Sequence, residues 1–199
     1  MKTPRKKVIS KPAKVRPMVP GAVAQERLTK TTIEMLRKFP FDQVTARELT
    51  KRAGLTLPTI ARNFGSMAGL FSHVAEVLLE NAIKRQSGLL TQTVIFDPDF
   101  ILRSKLIAWL LAEGADPKIF KRDIFEQYSE RFQTDIKTET QRTAFTFMQL
   151  METLGQGFAI FSETMGLTRQ QIADGLELVA EFRKRLPEIE HSLGWDKQK

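Results

Sequence analysis

The chain of 199 residues contains no cysteine, only two histidines and a single tyrosine. Without cysteine, disulfide bonds and thiolate chemistry are excluded, as is typical of proteins of the reducing cytoplasm. The two histidines, His73 and His191, lack any metal-ligand spacing, and the sequence has neither a glycine-rich phosphate loop nor a serine elbow. We therefore expect no catalytic residue, no metal site and no cofactor, and a protein that is not an enzyme.

Long apolar runs are also missing. No stretch approaches the ~20 consecutive apolar residues that cross a bilayer, and the basic N-terminal segment is not followed by the apolar core of a secretory signal. Hydrophobic residues still make up 42% of the chain, which is enough for the core of one large domain or two small ones. The composition favours a cytoplasmic protein without a membrane partner.

Positive charge is unevenly distributed along the chain. Residues 1–20 contain seven Lys or Arg residues and no acid, residues 21–66 contain eight against four acids, and residues 67–199 contain sixteen against nineteen. A concentration of lysine and arginine in one part of a protein is typical of nucleic-acid binding. The first third of the chain is therefore the part that we expect to contact a polyanion.

Residues 1–20 are also interrupted by four prolines, which predicts a disordered, extended arm. Lys6, Lys7 and Arg16 of this arm are candidate DNA contacts, either along the phosphates or in a minor groove. The alternative is a solubilising tail, and the same charge would also suit RNA or an acidic membrane surface.

The segment between residues 45 and 64 predicts two short helices joined by a tight turn. Thr45 and Glu48 have the spacing of a capping box, and Gly54 stands where a helix ends in a left-handed residue. The second helix follows at once, with a threonine as its expected cap and a proline in its first turn. This arrangement is the helix-turn-helix pattern, whose second helix enters the major groove. The expected cap, first-turn and outward-facing residues of that helix are Thr56, Pro58, Thr59, Arg62 and Asn63.

From about Arg27 to Leu70 the sequence resembles the DNA-binding domain of the TetR family of transcriptional repressors. The matching residues are Leu28, Leu36, Phe41, Thr45, Leu49, Ala53, Gly54, Leu55, Thr56, Thr59, Ile60, Arg62, Asn63, Phe64, Ser66 and Leu70. Ala61 and Met67 depart from the family, which usually has a tyrosine and a lysine at these positions, and Pro40 replaces a common glycine.

The resemblance implies an all-α protein with a helix-turn-helix DNA-binding domain at 21–66, after the arm at 1–20. A helical-bundle region at 67–199 would bind a ligand and dimerise. Such a protein would be a sequence-specific regulator of a double-stranded DNA operator, a repressor released by a small-molecule effector. The alternatives are the same fold acting without an effector, and a helical adaptor or RNA-associated protein.

The expected DNA contacts combine the chemistry of the side chains with this resemblance. Thr59 and Arg62 are placed to read base edges, and Thr45 and Asn63 to bind phosphate. Leu57 has a spacing that permits core packing, whereas the family match turns it outward, where it would meet a thymine methyl. The full set of candidates is Thr45, Arg47, Thr56, Leu57, Pro58, Thr59, Arg62 and Asn63, with Lys6, Lys7 and Arg16 of the arm.

The rest of the chain predicts further helices, beginning at Ser66, near Asp97 and at the pair Asp116-Pro117. Apolar residues from Phe147 to Met165 follow a strict heptad spacing, and a second stripe runs from Ile172 to Leu193. Pro187 should kink this last helix, and the two final helices favour a homodimer interface over a hairpin buried within one subunit.

Bulky apolar residues of the same region are candidates for a regulatory pocket, although plain core packing is the alternative for each of them. The candidates are Trp109, Phe120, Phe125, Tyr128, Phe145, Met148 and Phe158. Gly155 and Gly157 should open space against a facing helix. Because the carboxylates Asp97, Asp99, Glu188 and Glu190 are expected at helix starts or on wet faces, an apolar or aromatic effector is favoured.

Overall fold

The computed structural model describes residues 20–85, 94–120 and 140–197. Regular structure in these ranges consists of helices without any strand, which confirms the all-α prediction. The α-helices are α1 (Gly21–Leu36), α2 (Ala46–Ala53), α3 (Pro58–Phe64), α4 (Met67–Arg85), α5 (Pro98–Ala112), α6 (Gln141–Phe161), α7 (Arg169–Lys184) and α8 (Leu186–Ser192). None of these helices is long and apolar enough to span a bilayer.

The first three helices form a compact unit because each contributes an apolar side chain to one centre. Leu28 of α1, Leu49 of α2 and Ile60 of α3 are all buried there. Gly54 joins α2 to α3 with φ 68°, in the left-handed region that favours glycine. After α1, the chain passes through Pro40 into a short 3-10 helix at Phe41–Gln43. The predicted helix-turn-helix is therefore present.

Helix α4 links this unit to the rest of the protein. It begins after Ser66, whose hydroxyl accepts from the Gly69 N–H at 3.0 Å, as a helix cap does. Leu70 and Val74 of α4 belong to the same hydrophobic cluster as the three-helix core, and so do Leu106 and Leu110 of α5. The core is thus continuous from α1 to α5.

The later helices follow the sequence prediction with one exception. The Thr168 hydroxyl and the Gln171 side chain form the predicted capping box at the start of α7. The helix is interrupted at Arg185, two residues before Pro187, and α8 follows. At Asp116-Pro117, however, only a 3-10 helix forms (Pro117–Ile119), because Phe120 adopts an extended conformation with φ −85° and ψ 114°. The α-helix predicted to open there was wrong for these residues.

Two carboxylates that were expected at a helix start or on a wet face are buried at the start of α5. Asp97 caps the helix, and Asp99 lies in its first turn. Arg85 donates to both Asp97 oxygens, at 2.6 and 2.9 Å, and to Asp99 at 2.8 Å. Arg37, at the end of α1, donates to the other Asp99 oxygen at 2.5 Å. The expected position at a helix start is confirmed, but the two carboxylates are not solvated. Their burial is possible because arginines from two other helices compensate the charges.

Glu190 of α8 is also buried, whereas Glu188 is exposed as expected. The Glu190 carboxylate accepts hydrogen bonds from the hydroxyls of Thr140 and Thr143 at the start of α6, the latter at 2.7 Å. A single glutamate therefore ties the C-terminal helix to the beginning of α6. The predicted wet face was wrong at this position because the partners come from a distant part of the sequence.

Candidate nucleic-acid interface

Helix α2 begins with half of the predicted capping box. The Thr45 hydroxyl accepts from the Glu48 N–H at 3.3 Å, but the Glu48 carboxylate accepts from Arg52 at 2.9 Å instead of reaching back to Thr45. This hydrogen bond from Arg52 lowers the pKa of Glu48. Arg52 also lies over the Phe39 ring, 4.9 Å from its centroid. Arg52 is therefore held by its own subunit.

The start of α3 differs in detail from the prediction. Leu57 occupies the N-cap position with helical φ and ψ, and its side chain is 53% exposed. Thr56 was expected to cap the helix through its hydroxyl, but that hydroxyl lies 3.2 Å from the Thr59 hydroxyl. Pro58 is in the first turn as predicted. Leu57 can turn outward because Ile60 supplies the buried contact of this helix.

The far end of α3 is fixed by the helices around it. The Asn63 side-chain amide donates to the Thr59 carbonyl at 2.7 Å, and Gln25 of α1 donates to the Asn63 carbonyl at 3.4 Å. On the α4 side, a Cβ added to Gly69 would lie 2.0 Å from the Phe64 carbonyl oxygen. Only glycine permits this approach, so the direction of α3 depends on α4.

The remaining basic side chains of the unit face solvent. Arg47 and Lys51 on α2 are exposed, and so are Arg62 on α3 and its neighbour Ala61. The candidates Arg47, Leu57 and Arg62 are therefore all exposed. The candidates Lys6, Lys7 and Arg16 lie outside the described residues.

A comparison with known protein families indicates the function of this surface. Residues 28–74 match the family model described as bacterial regulatory proteins, tetR family. The match identifies this segment as a TetR-family DNA-binding domain. Searches among curated proteins and among solved structures found no match. The matched range contains α2, the turn and α3 in full, and it supports a DNA-binding transcriptional regulator with a helix-turn-helix.

The proposed pocket residues are spread over separate hydrophobic clusters. Trp109 packs edge-on against Phe41 and Phe71, with ring centroids 5.7 and 5.9 Å apart, and Phe120 packs against the same cluster. Phe158 packs against a second cluster and Met148 is buried in a third. Phe145 is partly buried, and Phe125 and Tyr128 lie outside the described residues. Among the described candidates, the structure brings only Trp109 and Phe120 into one cluster.

Sequence reasoning missed a buried ion pair between α5 and α6. Arg103 donates to Glu152 at 2.5 Å, and Gln156 donates to the same carboxylate oxygen. Arg103 lies three residues after Phe100 and three before Leu106, both buried. A charged residue at this helical spacing indicates a buried partner, and this signal was available in the sequence. The helical region therefore contains buried charge, contrary to the expectation.

Proposed function

We propose that the protein is a homodimeric repressor that binds a palindromic operator through α3 and releases it when a small molecule binds the helical region. The observation that carries the proposal is the exposed outer surface of α3, held by the Gly54 turn in a segment that matches the TetR family. A helix presented in this way enters the major groove. Such a regulator works where the bacterial chromosome is, in the cytoplasm.

The proposed contacts on DNA are divided by chemistry. Thr45 and Arg47 at the start of α2 are suited to phosphate, because helix N-termini and basic groups attract anions. Arg62 is suited to guanine or phosphate. Asn63 is also proposed at a phosphate, because its amide keeps a second N–H beside the one that donates to the Thr59 carbonyl.

Exposed apolar side chains on the last three helices support the homodimer. Phe161 at the end of α6 is 54% exposed, and Leu178 and Phe182 of α7 are similarly exposed and lie four residues apart on one face. The heptad seam is thus only partly satisfied within one subunit, since Phe147 is buried and Phe161 is not. A second copy would cover these side chains and place two α3 helices ~34–36 Å apart, as successive major grooves require.

The proposed effector is an apolar or aromatic molecule, because the sequence of the helical region is rich in aromatic residues. The alternative, a regulator without an effector, is favoured by Gly155, where a Cβ would lie 3.0 Å from Phe100 and 3.1 Å from Ile95. The space that this glycine was expected to open is filled by those two side chains.

Selection of bound duplexes from a random pool tests the proposed function. We expect a palindromic site with two half-sites whose centres are about one helical turn apart, bound by two subunits. An adaptor or RNA-associated protein would instead bind the selected and random duplexes with a ratio near one. A mobility-shift titration with candidate effectors then tests induction, because equal affinity with and without every stabilising ligand would contradict it.

Deletion of residues 1–20 tests the proposed basic arm on the same selected duplex. Each neutralised phosphate contributes about −0.9 to the slope of log K against log salt. We expect the deletion to weaken binding to every sequence and to flatten that slope. A variant of the same length with neutral residues in place of the seven basic ones controls for the loss of chain, and an unchanged slope would reduce the arm to a tail.

A further inference from the structure

Two polar side chains of α3, Thr59 and Asn63, make hydrogen bonds within the subunit. The Asn63 amide donates to the Thr59 carbonyl at 2.7 Å, and the Thr59 hydroxyl lies 3.2 Å from the Thr56 hydroxyl. Each of these contacts occupies one hydrogen-bonding site of the side chain and restricts its direction. The exposed apolar groups at the start of α3 then provide a second kind of readout.

The groups that face outward at the start of α3 are apolar. Leu57 is 53% exposed, and Pro58 and Ala61 are exposed as well. Leu57 has helical backbone angles, so that it and Ala61, four residues later, lie on the same face. We call Leu57, Pro58 and Ala61 the apolar tip. Base contacts of a helix-turn-helix come mainly from the N-terminal part of its second helix, which is where the apolar tip lies.

An apolar side chain in the major groove has one favourable partner among the base edges. Thymine presents its C5 methyl group there, whereas the other edges of the standard bases present hydrogen-bond donors and acceptors. Leu57 against a donor or acceptor would remove water from that group without replacing its hydrogen bond. Because Ala61 has a short side chain, it leaves Leu57 free to approach the floor of the groove.

We propose that the apolar tip reads thymine methyl groups, with Leu57 as the main specificity-determining residue of each half-site. The proposal rests on the proposed DNA-binding function and adds the chemical feature of the operator that α3 recognises. It predicts that discrimination at one or two thymines per half-site comes from the methyl group itself, not from the O4 acceptor beside it.

Single thymine-to-uracil replacements in the selected duplex test this inference. Uracil keeps the base pairing and the O4 acceptor of thymine but lacks the methyl. Burial of one methyl-sized group changes affinity by about fourfold. We therefore expect about a fourfold loss at one or two thymines per half-site and no change at the others. A second pair of duplexes carries a G·C pair at the same position, with either 5-methylcytosine or cytosine. The 5-methylcytosine duplex should bind about as much more tightly than the cytosine duplex as thymine does than uracil, because 5-methylcytosine and thymine both carry a methyl group at C5.

The second half of the test assigns the effect to Leu57. In L57A the thymine-to-uracil loss at the sensitive position should disappear, while L111A, which truncates an exposed leucine of α5, should retain it. Leu57 is exposed, so L57A is expected to fold, and equal thermal midpoints confirm this.

Each other outcome is decisive. A specific duplex whose affinity is insensitive to every uracil would overturn the inference and leave the proposed function intact. A sensitive position that L57A does not affect would overturn the assignment to Leu57. Failure to select any specific duplex would count against the proposed function itself.

Discussion

Replacing Asp99 by asparagine tests how the DNA-binding unit is held to the rest of the subunit. Asp99 is 1% exposed and accepts from Arg37 at 2.5 Å and from Arg85 at 2.8 Å. Hydrogen bonds to charged groups contribute about 1.5–3 kcal/mol each. Both arginine side chains are about half exposed, so water replaces part of each contact, and Arg85 keeps its contacts with Asp97. We therefore expect D99N to lower the free energy of unfolding by about 2 kcal/mol.

Thermal unfolding at pH 7 measures this change. For a chain of this size, 1 kcal/mol corresponds to about 2–4 °C, so the midpoint of D99N should fall by about 4–8 °C. D42N is the control, because Asp42 is exposed and its replacement makes the same change of charge. A solvent-exposed substitution of this kind should alter stability by no more than about 0.5 kcal/mol.

A double-mutant cycle separates the contact from general effects of the substitution. R37Q removes the partner from α1, and the effects of R37Q and D99N should fall short of additivity by about 1 kcal/mol because both remove one contact. Amide exchange in the last turn of α1 should accelerate in both variants. The reasoning would be refuted if D99N were as stable as D42N, or if the two effects simply added.

The other predictions concern three different contacts. G69A places a Cβ 2.0 Å from a carbonyl oxygen of α3, so it should lower the free energy of unfolding by about 1–3 kcal/mol and weaken operator binding in a mobility-shift assay. In the control G157A the new Cβ meets no atom within 4 Å, and the free energy of unfolding should rise by about 0.5–1 kcal/mol. Asp97, whose ordinary pKa is near 3.8, has its pKa lowered by the guanidinium at the end of α4. The ionised Asp97 therefore contributes fully to stability when the pH is above its ordinary pKa, and this contribution is lost as the pH falls through the lowered pKa. Asparagine keeps the helix cap, so the difference in thermal midpoint between wild type and D97N should shrink below about pH 4. F182E should convert the proposed dimer into monomers in sedimentation velocity, while L111E, which changes an exposed leucine of α5, should leave the oligomeric state unchanged.

Much of the DNA-binding unit could be predicted from the sequence because its signals are local. The Thr45 cap and the Gly54 turn each depend on residues within a few positions of one another, and both form as expected. The cap of α3 was misassigned because a threonine hydroxyl has a choice of partners. The Thr56 hydroxyl lies 3.2 Å from the hydroxyl of Thr59, and sequence spacing does not decide such a choice.

The contacts that were missed all join residues far apart in the chain. Asp99 meets Arg37 across 62 positions, and Glu190 meets Thr143 across 47. A carboxylate at a helix start is expected to be solvated, and only the arrival of a partner from another helix makes its burial favourable. The pocket residues were predicted from helical spacing in the same way. Aromatic residues at this spacing mark the inward face of a helix, but they do not show which hydrophobic cluster that face joins.

The two contacts at the ends of α4 determine how an effector of the proposed kind would act. At its start, Gly69 packs against the end of α3 without room for a Cβ, and at its end Arg85 shares Asp99 with Arg37 of α1. A ligand shifts an equilibrium only through its different affinities for two arrangements. Bending α4 would open one of these contacts, whereas moving α4 as a whole keeps both. The movement that costs the least free energy is therefore one in which α1, α3 and α4 turn together. D99N weakens the contact at the end of α4, so it should reduce the coupling between effector and operator more than it weakens either binding step alone.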